Sequence, residues 1–475
     1  MEKVSILPVE TSAVLGQLKE RALALRSEPV RNRKKRLGSL LDWISANRER
    51  IKSAVHADFN KPLLEVDTSE IYPVLTELRH AIHHLEEWVR PVKVDATAAY
   101  LGTRSEIRFE PKGACLIIAP WNFPFNLCVG PLVSCLAAGN TACIKPSELT
   151  PHTSSLIRDM ANEAIEPGIV VVLEGGPEVS QSLIEQPFDH IFFTGSPAIG
   201  KVVMQAAANN LTSVTLELGG KSPAIIDSSA NISDAARRIA FGKFFNNGQT
   251  CIAPDYILVE EKIRDAFVEE LKKQTLRLFG DKGAIGEDSP NYSRIVNERH
   301  YDRVTSLLSE AVQVGARPEV LGTPNRATNF MPPVILTQVP ITARIMQEEI
   351  FGPLLPVVTF TDREEVVRRV NDKPKPLALY VFAQNKKFRE FILARTSAGS
   401  VCINECVLQF THPNLPFGGV NNSGIGKSHG RFGFLAFSNE KPVLHQKSGW
   451  AGPYLLHPPY TQGMKKVVDI LLKWF

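Results

Sequence analysis

Cysteine is sparse and unpaired in this chain of 475 residues: seven, an odd number, at 115, 128, 135, 143, 251, 402 and 406. There is no CxxC pair, and Cys402 and Cys406 lack a second pair. That spacing frames neither a disulfide scaffold nor a zinc site, so the expected metal is none and the expected compartment is reducing. Charge of one sign is scarce too, with 54 Lys and Arg against 50 Asp and Glu. The segment from 441 onward, with Lys441, Lys447, Lys465, Lys466 and Lys473 against Asp469, carries the whole excess. A nucleic-acid binder spreads basic residues over a folded face, so no nucleic-acid partner is expected. A basic tail ending in VVDILLKWF suits contact with an anionic membrane surface instead. The opening MEKVSILPVE has no apolar core of signal-peptide length, and the expected location is cytoplasmic, with peripheral membrane contact through the tail. Hydrophobic residues make up 44% and charged residues 22%, which excludes a disordered or collagenous chain and leaves material for more than one core.

An unbroken apolar span is also lacking. No charged residue occurs from Gly113 to Ile144, but Pro120, Asn122, Pro124, Asn126, Pro131 and Asn140 interrupt the stretch. It reads as a buried strand over 114–118, a loop, and a buried helix ending at Gly139-Asn140, not as a membrane span. Two phosphate-loop look-alikes fail as well. Gly220-Lys221-Ser222 and Gly426-Lys427-Ser428 need a further glycine where Thr215 and Asn421 stand. The GxGxxG dinucleotide fingerprint is missing.

What is there is an α/β rhythm. Residues 10–56 read as helical and basic. Residues 68–90 form another helix, whose His80 and His84 have metal-pair spacing but no completing ligand, so a solvated face is expected. From 113, short apolar strands (114–118, 141–145, 170–173, 190–193) alternate with helices, which predicts a mostly parallel sheet covered on both faces. Near Val214 the rhythm restarts. Strands SVTLEL, PAIIDS, YILVE, VVTF and ALYVF, with helices at 233–246, 261–279 and 363–371, read as a second α/β unit.

Two places carry candidate chemistry. In Phe193-Thr194-Gly195-Ser196-Pro197-Ala198-Ile199-Gly200 a strand runs into Gly195, Ser196 suits an N-cap and Pro197 the first helical turn. Such a turn can offer its N–H groups to a phosphate, although an ordinary strand-to-helix connection reads equally well. Cys251 follows Asn246-Asn247-Gly248-Gln249-Thr250. With the preceding helix read as ending at Gly248, the dipole there disfavours a thiolate, and activation falls to backbone N–H groups, a base or a bound cation. Taken alone, Cys251 reads as an inert buried thiol.

Read together, the motifs resemble the NAD(P)-dependent aldehyde dehydrogenase family. They are Ala119-Pro120-Trp121-Asn122-Phe123-Pro124, Lys145-Pro146-Ser147-Glu148, the FTGS of 193–196, Leu216-Glu217-Leu218-Gly219-Gly220-Lys221, Gly248-Gln249-Thr250-Cys251, Glu348-Glu349-Ile350-Phe351-Gly352-Pro353 and Pro416-Phe417-Gly418-Gly419, in that order. Ala253-Pro254-Asp255-Tyr256 is similar to the class 3, fatty-aldehyde branch. The resemblance implies two parallel-sheet α/β domains and a small oligomerisation arm. Residues 1–92 and 110–215 would bind NAD, 216–402 would form the catalytic domain, and 93–109 with 403–475 the arm and tail of a homodimer. It implies Cys251 as nucleophile, Asn122 as oxyanion donor and Glu217, in the short stretch after SVTLEL, as general base. Lys145 and Glu148 would meet the adenosine ribose, Gly195 and Ser196 the pyrophosphate, Gly200 the helix packing, Glu349 the nicotinamide ribose, with Phe351 beside it. A carboxylate at the ribose 2′ position favours NAD, with NADP usable by this branch.

The activity so implied is oxidation of an aldehyde to a carboxylic acid through a cysteine thiohemiacetal and thioester. The competing readings are a CoA-acylating dehydrogenase, a cysteine esterase and a non-catalytic binding protein on the same fold. Glu217 favours water as the acyl acceptor. The expected mouth, Val407-Leu408-Gln409-Phe410-Thr411, is mostly apolar and no Arg or Lys can be placed as an anchor. Medium or long fatty, aromatic or isoprenoid-derived aldehydes are therefore the expected substrates.

Overall fold

Strands Ala114–Ile118 and Thr141–Lys145 are buried at every position, as strands covered on both faces must be. The computed structural model describes residues 8–95, 100, 102–280, 283–449 and 457–474. In chain order its strands are β1 (Val92–Val94), β2 (Thr103–Pro111), β3 (Ala114–Ile118), β4 (Thr141–Lys145), β5 (Val170–Val172), β6 (His190–Gly195), β7 (Ser213–Leu218) and β8 (Pro223–Ile226). There follow β9 (Tyr256–Glu260), β10 (Arg317–Val320), β11 (Val334–Thr337), β12 (Leu354–Phe360), β13 (Ala378–Phe382), β14 (Ser400–Ile403), β15 (Gly424–Ile425) and β16 (Ser438–Gln446).

They form three sheets, ordered β15-β7-β6-β3-β4-β5, β10-β11-β12-β9-β8-β13-β14 and β1-β2-β16. The first two are parallel except for one antiparallel edge strand each, β15 and β10. One expectation changes here. SVTLEL does not open the second unit: β7 pairs with β6 in parallel, Phe193 opposite Leu216, and so extends the first sheet. The second sheet begins at β8. The basic stretch 10–56 is helical as read, divided among Pro8–Leu25, Val30–Ala46 and most of Arg48–Phe59.

The helix Asn126–Ala138 shows why its segment carries no charge. It is buried almost all round, between the first sheet and the helix Tyr72–Trp88. Its carbonyl end is met by the buried Arg33, whose guanidinium donates to the carbonyl of Ala138 over 3.0 Å. Gly139 follows in the left-handed region, where a Cβ would strike that guanidinium. A π-helical turn, Asp67–Ile71, leads into Tyr72–Trp88 and faces the site.

Candidate active site

In the first sheet the chain passes from β3 outward to β4 and β5, then returns to place β6 on the other side of β3. The strand order reverses there, and a crevice opens at the carboxyl ends of β3 and β6. The loop after β3 brings Asn122 to it, the end of β6 brings Gly195 and Ser196, and β7 brings Glu217. The second sheet faces it with the loop before β9, which carries Cys251, and the loop before β12, which carries Glu349 and Phe351.

Two cavities meet at Cys251. One, of about 250 Å3, is lined by Asn122, Gly195, Ser196, Glu349 and Phe351 among others. The other, of about 500 Å3, is walled mostly by apolar side chains including Phe123, Phe241, Phe245, Leu408 and Phe410. Leu127, Thr194, Glu217 and Cys251 line both. Of the five residues expected at the mouth, Val407, Leu408, Phe410 and Thr411 line the larger cavity. Gln409 instead turns inward, donating to the Tyr380 hydroxyl over 3.2 Å and accepting from the Cys402 thiol.

The loop before Cys251 corrects the dipole argument. The helix ends at Phe244, not Gly248. Asn246, Asn247 and Gly248 then take three consecutive left-handed conformations, φ 51°, 55° and 71°. Asn tolerates that region and Gly is required at the third, where a Cβ would lie 2.3 Å from the carbonyl of Gly352. The helix end thus lies further from Cys251 along the chain than a stop at Gly248 would put it, with this turn between them. Burial pushes the Cys251 thiol well above its ordinary range, and the carboxylates of Glu349 and Glu217 push it further. The N–H groups of Cys251 and Ile252 oppose the shift by favouring the thiolate.

Asn122 is buried and donates from its side-chain amide to the carbonyl of Gln249 over 2.9 Å. One amide N–H is thereby fixed, and the second is left to the cavity that Asn122 lines. Glu217 lies within β7 rather than after it, 5% exposed. Burial raises its pKa, against the opposing effect of His429 and of a short hydrogen bond from the Ser428 hydroxyl. A carboxyl so placed sits closer to neutrality than a surface one, as a general base at neutral pH requires.

The residues expected to hold a dinucleotide fall into two groups. Ser196 caps the helix Pro197–Asn210, its hydroxyl accepting from the Ile199 N–H, and the cavity opens at this N-terminus. Gly200 presses that helix on the sheet: a Cβ would lie 2.6 Å from the Leu218 side chain. Burial, with help from Asp255, raises Glu349 to about 8; the Gly220 N–H, Lys221 and Arg303 oppose this. A Cβ on Gly219 would strike the Glu349 carboxylate, so this glycine forms the floor on which it rests while the Gly220 N–H donates to it. Phe351 meets Trp121 edge-on at 5.4 Å. Lys145 and Glu148 are a separate pair, 3.3 Å apart, outside the cavity that Cys251 lines. Lys145 is buried, donating to the carbonyl of Pro146, while Glu148 is exposed. A helix N-terminus, a glycine floor and an acidic residue in one cavity fit a nicotinamide dinucleotide.

Several residues of the site escaped the sequence reading. Arg303 donates to the carbonyls of Ile350, 2.5 Å, and Phe351, 3.2 Å, and so holds the loop of Glu349. His300 packs on Trp121 at 5.0 Å, its pKa lowered to about 4 by burial and by the charges of Arg303 and Arg299. Both lie on the helix Glu298–Gln313, far in sequence from any motif. Ser428 and His429 stand in the GKSH run set aside as a failed phosphate loop.

Comparison with known proteins agrees with this geometry. Residues 11–443 match the model of the aldehyde dehydrogenase family. The chain is 41% identical to 4,4'-diaponeurosporen-aldehyde dehydrogenase of Staphylococcus aureus, over 93% of this chain and 95% of that one. Among solved structures, the substrate-bound state of Staphylococcus aureus AldH superposes with a TM-score of 0.91 at 39% identity, covering 97% of this chain and 99% of that one. The NAD-dependent aldehyde dehydrogenase of Sinorhizobium meliloti does so with a TM-score of 0.86 at 28% identity, covering 96% and 89%. With two cavities, one of them apolar, meeting at Cys251, and a family match over nine-tenths of its length, the chain belongs to the aldehyde dehydrogenase family and oxidises aldehydes with NAD(P).

Proposed function

We propose that Cys251 attacks the aldehyde carbonyl, that Asn122 and the Cys251 N–H hold the resulting oxyanion, and that Glu217 activates the water that releases the acid. NAD(P), bound in the smaller cavity, accepts the hydride. Glu349, Phe351, Gly195 and Ser196 orient its near half and phosphates, with Gly200 letting the helix approach; Lys145 and Glu148 bind the adenosine ribose, and Glu148 biases the enzyme toward NAD. The observation that carries this reading is the meeting of the two cavities at Cys251 and Glu217.

The substrate is a medium or long apolar aldehyde. The larger cavity is walled mainly by phenylalanine and aliphatic side chains, with Glu217 the one charged residue among the described residues that line it. The Staphylococcus aureus relative is named for 4,4'-diaponeurosporen-aldehyde. NADH release across aldehydes of graded length, with and without CoA, tests both points. A kcat/KM that rises with length and ignores CoA supports them, whereas a requirement for CoA would overturn the hydrolytic step.

Two further readings concern surfaces. The sheet β1-β2-β16 leaves Val92, Val94 and Leu444 exposed, which supports pairing with a second copy in a homodimer. No helix among the described residues is long and apolar enough to cross a membrane. The helix Gln462–Trp474 exposes Ile470 and Leu472 beside Lys465, Lys466 and Lys473, which supports contact with an anionic lipid surface.

A further inference from the structure

The general base has a drainage problem. Glu217 is 5% exposed, and two of the spaces it touches are the large cavities. When nucleotide fills one and an apolar chain fills the other, neither leads to bulk water. Yet each turnover loads a proton on Glu217 that must leave before the next thioester is hydrolysed.

Behind Glu217 lie two further chambers, each near the size that holds one water. The inner one, about 20 Å3, touches Glu217, Ser428, His429 and Glu77. The outer one, about 10 Å3, touches His429 and Glu77 again and reaches Thr411, which is exposed, and Pro413 and Pro73, which are half-buried. His429 and Glu77 are therefore the charged pair common to both. His429 Nδ1 faces Glu77 Oε2 at 3.6 Å, and Glu77 Oε1 accepts from the Gly430 N–H over 2.6 Å.

His429 is held at some cost. Its backbone has φ 71° and ψ 140°, a conformation that side-chain-bearing residues rarely adopt and that gathers at functional sites. The rings of Phe410 and Phe417 fix the imidazole edge-on at 4.8 and 5.5 Å. Around it stand Glu77 from the helix Tyr72–Trp88, Glu217 from β7 and Lys427 from its own loop. His80 of the same helix as Glu77 lies against the neighbouring Gly430, and Asn126 and Ser134 of the helix Asn126–Ala138 are uncharged. Burial works against a charge on His429, but the Glu77 hydrogen bond and the carboxylates of Glu77 and Glu217 outweigh it and raise its pKa.

From this juxtaposition we propose that His429 and Glu77 form a side exit for the proton that Glu217 takes from the hydrolytic water. The proposal rests on the reading of Cys251 and Glu217 given above. Water adds to the thioester carbon while Glu217 takes one of its protons; the C–S bond breaks, the acid departs and Cys251 leaves as thiolate. The Glu217 carboxylic acid passes its proton through water in the inner chamber to the His429 ring. The imidazolium, stabilised by Glu77, releases it to water in the outer chamber and then to solvent. Glu217 is again a carboxylate, and no electron moves in these steps.

The test uses full-length His429→Gly and Glu77→Gln beside Glu217→Gln. Glycine accepts φ 71° without strain, so the first variant keeps the backbone of the loop. Both exit variants are expected to show a burst of about two NADH per site, the second from the thioester that meets a still-protonated Glu217, with steady-state turnover of long apolar aldehydes slowed about tenfold or more. Short aldehydes, which leave the mouth open to water, should lose less. Added imidazole should restore His429→Gly, while nucleotide-free turnover of a long-chain p-nitrophenyl ester, which leaves the smaller cavity beside Glu217 open to water, should lose less. Unchanged turnover, or an equal loss at every chain length without rescue, overturns the exit. Glu217→Gln separates the two readings. If it stalls after the burst while His429→Gly behaves as wild type, only the exit fails; if Glu217→Gln turns over normally, the base assignment fails first.

Discussion

Asn122 and Lys61 are joined by a hydrogen bond in which the buried ammonium donates to the Asn122 main-chain carbonyl over 3.2 Å. The same ammonium donates to Glu70 Oε1 over 2.6 Å, and neither side chain of that pair is exposed. Glu70 Oε2 accepts from the Asn126 N–H over 2.9 Å. The buried Lys61–Glu70 pair thus grips the loop of the proposed oxyanion donor from below, without itself lining either cavity.

Breaking this pair on one side leaves a charge buried without its partner. Lys61→Met and Glu70→Gln should each cost roughly 3–5 kcal/mol of stability, read as a lower urea midpoint. The double variant Lys61→Met/Glu70→Leu should recover much of that stability but not kcat, because the Asn122 loop stays unheld. Losses of only a few tenths of a kcal/mol in the single variants would show that the grip is not needed.

The pH dependence of Cys251 follows from its neighbours. Burial raises its pKa, and Glu349, itself raised to about 8, adds negative charge only as pH climbs past that value. Alkylation of the nucleotide-free enzyme by iodoacetamide should therefore be slow at neutral pH and rise less steeply above pH 8 than a single thiol ionisation predicts. Glu349→Gln should change little at pH 7 and speed alkylation severalfold at pH 9, with Cys251→Ser as the blank. Cys251→Ser should also abolish turnover while nucleotide still binds, since an alkoxide is far harder to form than a thiolate.

Much of this was legible in the sequence because it is local. The uncharged stretch 113–144 became β3 and the helix Asn126–Ala138, ending at Gly139 as expected. The FTGS turn became a strand end and a capped helix. What failed was what pairing decides. SVTLEL reads alike whether it opens a sheet or extends one, and only its register with β6 settles that. The helix before Cys251 stops early because two asparagines accept left-handed φ, a choice that helix propensity does not announce. Arg303, His300 and His429 reach the site through tertiary packing, and no spacing rule links them to Cys251.

Cofactor choice should hinge on Glu148. Its carboxylate is exposed and paired with the buried Lys145. A 2′-phosphate brought there meets like charge, whereas a 2′-hydroxyl can donate to it. Wild-type enzyme should favour NAD in kcat/KM, and Glu148→Ser should shift the NADP/NAD ratio upward by tenfold or so, about 1.4 kcal/mol. A wild type that strongly prefers NADP would remove Glu148 from the ribose.

The C-terminal helix makes a prediction about lipid. Gln462–Trp474 has 13 residues. At 1.5 Å per residue it reaches about 20 Å, short of the roughly 30 Å hydrocarbon core, so it can lie on a bilayer but not cross one. Val467, Val468 and Leu471 are half-buried, while Ile470 is 60% and Leu472 79% exposed. These two leave apolar surface for an acyl-chain boundary, and Lys465, Lys466 and Lys473 add attraction to anionic headgroups at about 1 kcal/mol each. Binding to vesicles containing phosphatidylserine should therefore exceed binding to neutral vesicles by on the order of a hundredfold at low salt, and weaken as salt screens the lysines. Deleting 462–475 should abolish the difference, and Lys465→Glu/Lys466→Glu/Lys473→Glu should remove most of it with the helix intact. Turnover of short, soluble aldehydes should be unaffected by either change, because none of the described tail residues lines the large cavity. Equal sedimentation with anionic and neutral vesicles, before and after deletion, would leave the helix a packing element of the protein alone.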